Sequence, residues 1–343
     1  MIEPALMLDP LPISEDEVVD LTYFAFANPA EPSREVPATC IRIGDLPQVL
    51  GGRYCIERLL GAGGMGVVYR ARDLLYEQFG DPEPYVALKL LSEDFADSPD
   101  ASALLYSEFA LTRRLHHPNV LRLHNFEVDT QCQRAFFTME LMHGRTLDKL
   151  LCEHPLGLPW PDLRDIAHAL LDALAYSHSR GVLHGDLKPS NVMIGEDGLR
   201  LFDFGLGQAE KGVLPGLAQL SRSRFKAWTP GYAAPELLNG TPLTTRADVF
   251  AAACVIYELA SGTNPMRGLF STLSSNEHLS LDLQMPTNMP KHCWQALRTA
   301  LAFDPATRHL TASHLRDILG GSSSWWSQWF YRRSESHASS MTW

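Results

Sequence analysis

The sequence predicts an α+β fold of two lobes, with a small strand-rich lobe before a larger helical one. Between Tyr54 and about Leu91, apolar and polar residues alternate around a glycine cluster, as they do in the strands of a half-buried sheet. From Trp160 onward, apolar residues recur at helical spacing. The chain has 343 residues, 45% of them hydrophobic, which is enough to bury a core in each lobe.

The individual elements follow from local patterns. Residues 1–53 combine acidic runs with frequent prolines, so we expect an irregular extension that docks on the body through residues 21–24. Strands are expected around CIERLL, VVYRA and VALKLL, with a surface loop at 76–84 that is rich in acidic residues, glycine and proline. The pattern then predicts a helix at 101–116, strands at 119–142, and a later helix that ends at Gly181.

Charge and cysteine spacing narrow the function classes. Lys and Arg total 29 against 40 Asp and Glu, a net charge of −11, which argues against nucleic acid as a partner because phosphate backbones recruit cations. A net negative charge does not exclude a local groove lined by basic residues. The six cysteines form no CxxC pair, so we expect buried thiols of a reducing compartment and no zinc.

Neither the N-terminal sequence nor any apolar run predicts a membrane protein. The acidic N-terminus lacks the basic region and apolar run of a secretory signal. The longest apolar stretch, 249–260, is interrupted by Glu258 and is too short to cross a bilayer. We therefore expect a soluble, cytoplasmic protein.

A glycine-rich run with the pattern G-x-G-x-x-G-x-V lies between two predicted strands, at 61–68. Glycines let the backbone approach phosphate groups closely, and Val68 offers apolar cover for a nucleotide base. A dinucleotide-binding fold places such glycines between a strand and a helix, so strands on both sides favour a hairpin over the phosphates of ATP. A plain tight turn is the alternative.

Lys89 ends the apolar run VALK on a predicted strand. A carboxylate on the following helix would aim its ammonium group at phosphates, and Glu108 is the candidate partner. Glu93 and Asp94 follow the strand too closely to reach back from a helix. A Glu108 that lies on the helix surface is the alternative.

A further polar cluster lies in the loop that begins at His184. Asp186 can orient or deprotonate an attacking hydroxyl, and Lys188 can neutralise charge on a transferring phosphoryl group. Asn191 and the later Asp203 supply oxygens of the kind that Mg²⁺ takes alongside substrate phosphates. Each feature alone is compatible with a capped turn, but their joint occurrence in this order favours a phosphoryl-transfer site.

Together these motifs resemble those of the protein kinase family over about residues 54–319, and most closely the bacterial serine/threonine kinases with eukaryotic-type signatures. The resemblance implies a bilobal protein kinase fold, with a small lobe at about 54–142 and a large lobe at about 143–319. By composition, residues 320–343 form a separate aromatic, serine-rich tail. ATP would bind in the cleft, and its γ-phosphoryl group would pass to Ser/Thr hydroxyls of protein substrates, with autophosphorylation.

The resemblance also implies roles for the site residues. Asp186 would be the catalytic base, Lys188 would assist transfer, and Lys89 would pair with Glu108. The metal ligands would be Asn191 and Asp203, holding Mg²⁺ with Mn²⁺ as an alternative.

For the nucleotide, the resemblance makes Met139 the gatekeeper, while the backbone groups of Glu140 and Met142 would face adenine. The residues that would contact ATP are Gly61, Ala62, Gly63, Gly64, Met65, Gly66, Val68, Ala87, Lys89, Met139, Glu140, Met142 and Met193.

Outside the nucleotide site, the family match extends to structural residues. Glu236, in Ala-Pro-Glu, would pair with Arg308, and Asp248 opens a helix that resembles the buried helix of the large lobe. Lys188 favours serine/threonine specificity, as does Thr229, which would hydrogen-bond the catalytic loop.

Two positions depart from the family pattern. Gly185 stands where the family usually has an arginine that grips a phosphorylated residue of the activation loop, and glycine cannot do so. We therefore predict that activity does not strictly require phosphorylation at Ser221 or Ser223. Trp228 replaces a common glycine, which leaves the peptide preference open.

Two other function classes remain as alternatives. Small-molecule phosphotransferases of kinase-like fold share the H-G-D triplet, but the glycine-rich run, D-F-G and A-P-E argue against them. A pseudokinase scaffold would lack a phosphate-gripping or metal-binding residue, and here Lys89, Asp186, Asn191 and Asp203 are all present.

The terminal segments allow several interpretations. In the tail, Trp325, Trp326, Trp329 and Phe330 share one helical face ahead of two arginines, which suits weak contact with a membrane surface, a partner, or the chain's own large lobe. The acidic run at 14–17 is expected to be a solvated arm, with an autoinhibitory contact as the alternative. Protein substrates and a cognate phosphatase are the expected partners.

Overall fold

The computed structural model describes residues 23–24, 46–62, 66–91, 99–205, 207–209, 229–267, 283–287 and 289–320. These residues form a small lobe built on an antiparallel sheet and a larger lobe built mainly of helices. The predicted α+β, two-lobed fold is therefore confirmed.

The small lobe contains a seven-stranded antiparallel sheet. Its strands are β1 (Tyr23–Phe24), β2 (Val49–Leu50), β3 (Tyr54–Ala62), β4 (Gly66–Asp73), β5 (Tyr85–Leu91), β6 (Leu123–Val128) and β7 (Ala135–Glu140). Their order is β1-β3-β4-β5-β7-β6, and β2 also pairs with β3. Two helices accompany the sheet, α1 (Leu74–Gln78) and α2 (Pro99–Thr112).

Part of the predicted N-terminal extension belongs to this sheet. Strand β1 runs antiparallel to β3, with Tyr23 opposite Ala62 and Phe24 opposite Gly61. Leu46 and Leu50 also lie in the small-lobe core, ahead of the predicted domain start at residue 54. The extension therefore contributes backbone to the sheet through β1 and side chains to the core through Leu46 and Leu50.

Alternation along β5 decides which way its lysine faces. Val86, Leu88 and Leu90 pack into one apolar cluster of the sheet, whereas Ala87 and Leu91 pack into the cluster that includes residues of α2. Because side chains alternate between faces, Lys89 lies on the same face as Ala87 and Leu91. The strand period thus turns this lysine towards the helix.

The start of the predicted loop at 76–84 is helical. Helix α1 begins after Asp73, whose Oδ1 accepts hydrogen bonds from the amides of Leu75 at 3.1 Å and Tyr76 at 3.4 Å. An aspartate at this position satisfies amides that a helix leaves unpaired at its N-terminus. The hydrogen bonds from Asp73 therefore stabilise a helix at the start of the segment predicted to be a loop from its acidic, glycine and proline residues.

The large lobe follows β7 and encloses a separate core. Its elements are β8 (Gly144–Thr146), α3 (Leu147–Glu153), α4 (Trp160–Ser179), β9 (Val182–Leu183), a 3₁₀ turn (Pro189–Asn191), β10 (Val192–Gly195), β11 (Gly198–Leu201), β12 (Gln208–Ala209), α5 (Pro235–Leu238), α6 (Thr245–Ser261), α7 (Lys291–Ala300) and α8 (Ala312–Gly320). Strands β11, β10 and β8 form one small sheet, and β12 pairs with β9. Helix α4 packs against α6 and α8.

The apolar stretch at 249–260 forms most of α6 and lies in this core. Its N-cap is Thr244, whose hydroxyl accepts a hydrogen bond from the amide of Ala247, and Gly262 ends it with φ of 73°. Burial of each large aliphatic side chain here contributes roughly 1.5–3 kcal/mol. Within the described part of the chain, no helix combines the length and apolar character needed to cross a membrane.

The prediction of buried free thiols is wrong for three of the described cysteines. Cys55 is disulfide-bonded, and Cys152 is a free but exposed thiol. Cys132 is free but only half-buried, whereas Cys254 and Cys293 are free and buried, as predicted. Disulfide formation depends on the separation of two Cα atoms in the fold, which sequence spacing does not reveal.

Candidate active site

Lys89 lies between two carboxylates that come from different parts of the chain. Its Nζ donates hydrogen bonds to Oε1 and Oε2 of Glu108 at 2.7 and 2.8 Å, and to Oδ1 of Asp203 at 3.0 Å. Glu108 is on α2, and Asp203 follows β11 with φ of 64°. This left-handed φ is unusual outside glycine, and the contact with Lys89 helps to hold it.

Burial and charge act in opposite directions on these groups. Burial lowers the pKa of Lys89, but the charges of Asp203 and Glu108 outweigh it, so the net pKa is raised. Burial raises the pKa of Glu108 to about 7, although Lys89 opposes this change. Burial also opposes ionisation of Asp203, yet Lys89 brings its pKa below the ordinary value. One ammonium faces two carboxyl groups, so the cluster favours an additional cation.

A second polar cluster is centred on Asp186. Nζ of Lys188 lies 3.2 Å from Oδ2 of Asp186 and donates to Oγ1 of Thr229 at 2.9 Å. The Thr229 hydroxyl in turn donates to Oδ1 of Asp186 at 2.8 Å. The three side chains therefore form a closed ring of contacts that fixes the carboxylate.

Asn191 carries the acceptor that a metal would use. Its Nδ2 donates to the backbone oxygen of Asp186 at 2.8 Å, which leaves Oδ1 as the other end of the carboxamide. This Oδ1 is buried and has no hydrogen-bond partner among the described residues. Buried polar atoms are nearly always satisfied, so an unpaired oxygen here fits a hard cation such as Mg²⁺, together with Asp203.

The described residues contain no group of three or more His, Cys, Asp or Glu side chains arranged to hold a metal. A site that uses Asn191, one carboxylate and substrate phosphates does not require such a group. The two predicted ligands therefore remain chemically suitable.

Asp248 supports the Asp186 loop from beneath, a role that the sequence motifs did not reveal. Its carboxylate accepts hydrogen bonds from the amides of His184 at 2.8 Å and Gly185 at 2.9 Å, and from His178 Nε2 at 2.9 Å. Burial opposes ionisation of Asp248, but the hydrogen bond and charge of His178 lower its pKa below the ordinary value. The sequence shows an Asp at the start of an apolar helix, and a buried carboxylate needs such hydrogen bonds, but which groups it would bind is set by the tertiary structure.

His184 connects the loop to the residue before Asp203. Its Nδ1 accepts a hydrogen bond from the Asp186 amide at 3.2 Å, so Nε2 carries the proton and donates to the Phe202 oxygen at 3.0 Å. The ring is fully buried. These two hydrogen bonds hold the loop that carries Asp186 at a fixed position relative to the residues that follow β11.

An apolar cluster between the lobes brings together most of the predicted base-contacting residues. Val68, Ala87, Met139, Met142 and Met193 all belong to it and are buried. The amide of Glu140 donates to the Arg122 oxygen at 3.0 Å, so this one of its two backbone groups is not available to adenine.

The described glycines of the glycine-rich run lie on the paired strands β3 and β4. A Cβ at Gly66 would stand 2.8 Å from the Leu90 oxygen and 3.1 Å from Cε of Lys89. Glycine is therefore required for β4 to lie against β5 beside Lys89. Gly61 and Ala62 pair with Val68 and Val67, while Gly63, Gly64 and Met65 lie outside the described residues.

The predicted structural pair of Glu236 and Arg308 is present. Arg308 is fully buried; its Nη2 bonds the Glu236 carboxylate, and its Nη1 donates to the Arg246 oxygen at 2.7 Å. The guanidinium also lies 5.2 Å from the centroid of the Phe250 ring.

Several residues and segments that the sequence analysis singled out lie outside the described residues: Ser221, Ser223, Trp228, the acidic run at 14–17 and the tail beyond residue 320.

Comparisons with known proteins agree with this geometry. The protein kinase domain model matches residues 54–318. The serine/threonine-protein kinase PkaA of Streptomyces coelicolor is 33% identical over 273 residues, covering 76% of this chain and 48% of PkaA. PknH of Mycobacterium tuberculosis is 32% identical over 270 residues, covering 77% of this chain and 41% of PknH. The chain thus spans less than half the length of these curated relatives.

A solved structure is similar as well. The crystal structure of the Mycobacterium tuberculosis PknI kinase domain superimposes with a TM-score of 0.57 at 26% identity, covering 83% of this chain and 98% of that one.

Proposed function

The chain belongs to the protein kinase domain family, of the bacterial serine/threonine type, and from that premise we propose that it phosphorylates proteins on serine and threonine. The observation that carries the proposal is the contact ring of Asp186, Lys188 and Thr229. A carboxylate held on both oxygens is set to orient a substrate hydroxyl.

In the proposed reaction, the oxygen of a substrate hydroxyl attacks the γ-phosphorus of ATP, and the bond to the β–γ bridging oxygen breaks to release ADP. Asp186 orients the hydroxyl and accepts its proton. Lys188 balances the charge that develops on the transferring group, and Lys89, held by Glu108, contacts the nucleotide phosphates. Asn191 and Asp203 would hold Mg²⁺, or Mn²⁺ in its place, which when bound neutralises phosphate charge.

The proposal extends to partners and location. ATP as the donor favours the cytoplasm as the place of action. A reversible phosphorylation signal needs a cognate phosphatase, which we propose as a partner. Contact of the tail with a membrane surface stays a prediction, and liposome sedimentation of the full chain against a version ending at Gly320 tests it.

The decisive experiment is phosphosite mapping by mass spectrometry. The full chain is incubated with Mg-ATP and casein, and in parallel with an aminoglycoside or choline as the acceptor. The variants are Asp186→Asn and the control Asp197→Asn, which changes an exposed aspartate in the turn after β10. We expect phosphoserine and phosphothreonine with the unchanged chain and the control, and none with Asp186→Asn. Transfer to an aminoglycoside or choline but to no protein would contradict the proposal, as would ATP binding without any transfer.

A further inference from the structure

A cavity of about 360 Å³ lies in the small lobe outside the candidate active site. Its walls come from the starts of β3 and α1, the end of α2 and the first part of β6. None of the residues proposed above to contact ATP or metal lines it. The cavity is therefore a separate feature of the fold.

The cavity carries net positive charge in a chain that is strongly acidic. Arg53, Arg113 and Arg122 line it, against the single carboxylate of Asp73. Arg113 and Arg122 are exposed and form no ion pair with another described residue. Guanidinium groups gathered in a concave site favour a ligand with a compact anionic group.

Arg53 is held in place before any ligand arrives. Its Nε and Nη2 donate to Oδ1 and Oδ2 of Asp73 at 2.8 and 2.6 Å, while Nη1 makes no hydrogen bond to a described residue. The rings of Tyr54 and Tyr76 lie 5.1 and 5.2 Å from the guanidinium carbon. An arginine fixed in this way loses little conformational freedom when its remaining donors are used.

Exposed aromatic side chains lie beside this charged cavity. Tyr76 lines the cavity and is 49% exposed, and Phe79 is 81% exposed at the end of the same helix. Residues three apart on a helix are neighbours, so Phe79 extends the aromatic surface outward from Tyr76. An inorganic ion would not contact these aromatic side chains. A peptide with an apolar residue near its charged group would pack against them and remove them from water.

We infer that this cavity binds the phosphoryl group of a phosphorylated peptide, with Arg113 and Arg122 as its principal ligands and Tyr76 and Phe79 as the contact for a neighbouring apolar residue. Helix α2 carries Glu108 and ends at Thr112, which lines the cavity. A bound peptide would therefore contact the same helix that positions Lys89. The site goes beyond the proposed phosphoryl transfer and would stand even if that activity were absent.

Binding can be measured by fluorescence anisotropy on the full chain after phosphatase treatment. The probe is a labelled peptide with one phosphoserine flanked by phenylalanines, beside its unphosphorylated twin and inorganic phosphate as competitor. The variants are Arg113→Ala/Arg122→Ala and Phe79→Ala. The control is Arg298→Ala, which removes an exposed arginine from the large lobe.

We expect the phosphopeptide to bind at least about tenfold more tightly than its twin, and the double variant to lose that advantage. Phe79→Ala should weaken peptide binding without changing competition by phosphate, and Arg298→Ala should change neither. Because both arginines are exposed, thermal unfolding of the double variant should match that of the unchanged chain. Equal affinity for both peptides, or unchanged affinity in the double variant, would overturn the inference.

Discussion

The hydroxyl of Thr229 donates a hydrogen bond of 2.8 Å to Oδ1 of Asp186 while it accepts one of 2.9 Å from Lys188. This single oxygen ties the segment that precedes α5 to the loop that carries the proposed catalytic carboxylate. A methyl group can neither donate a hydrogen bond to Asp186 nor accept one from Lys188, so the hydroxyl at this position decides how Asp186 is oriented.

Replacing Thr229 tests the importance of that orientation. Thr229→Val keeps the shape of the side chain but removes both hydrogen bonds, and we expect kcat for casein phosphorylation to fall by about 100-fold. Thr229→Ser restores the hydroxyl and should recover most of the rate. Steady-state kinetics measures kcat for both variants, and a nucleotide-binding assay checks that both still bind ATP. Equal kcat values for the valine and serine variants would contradict the proposed role of the hydroxyl.

The raised pKa of Glu108 gives the stability a definite pH dependence. Its pKa is raised from 4.5 to about 7 in the folded chain, so between these values the folded state takes up a proton that the unfolded state does not. Lowering the pH from about 7.5 to about 5.5 should therefore raise the unfolding free energy relative to Glu108→Gln by about 1–2 kcal/mol. Asp203, whose pKa is lowered from 3.8, titrates below this range.

Urea unfolding of both proteins at the two pH values measures this difference. The quantity compared is the unfolding free energy of the unchanged chain minus that of Glu108→Gln. A difference that stays constant or becomes smaller at the lower pH would exclude the raised pKa.

Arg308 is predicted to be a major contributor to stability rather than to chemistry. Arg308→Met leaves the Glu236 carboxylate and the Arg246 oxygen without their buried partner, which should cost about 3–5 kcal/mol in unfolding free energy. The exposed Arg298→Ala should change it by less than about 0.5 kcal/mol. Adding Glu236→Leu to Arg308→Met should recover part of the loss, and chemical denaturation that finds no recovery would show that the pair is not the cause.

Gly185 underlies the prediction about activation. It has φ of 81°, and its amide donates to Asp248, so the backbone here suits glycine, and glycine has no side chain to bind a phosphate. We expect Ser221→Ala and Ser223→Ala, singly and together, to keep casein phosphorylation close to the unchanged rate. Abolished turnover in any of these variants refutes the prediction.

The disulfide at Cys55 predicts the number of reactive thiols. One disulfide uses two of the six cysteines, so thiol titration of the denatured, unreduced chain should count four. After reduction the count should rise to six. A count of six before reduction would mean that the thiols are free, as expected of a protein from a reducing compartment.

Local patterns in the sequence were sufficient to predict the lobes and most of the chemistry-bearing residues. The sequence placed Lys89 on a strand and named Glu108 on the following helix as its partner, and the loop that begins at His184 contains Asp186 and Asn191. These signals are short in range, because a period of two or 3.6 residues is set by the backbone itself. Met139 and Met142, identified by family resemblance, also lie together between the lobes.

The tertiary structure decided what depends on distant parts of the chain meeting. The support that Asp248 gives to Gly185, the engaged amide of Glu140, the disulfide at Cys55 and the basic cavity at Arg53 and Arg122 have no local pattern. A charged side chain looks the same in sequence whether it is solvated or buried against a partner. Only the path of the folded chain brings such groups within hydrogen-bonding distance, and that path is set by the packing of both cores.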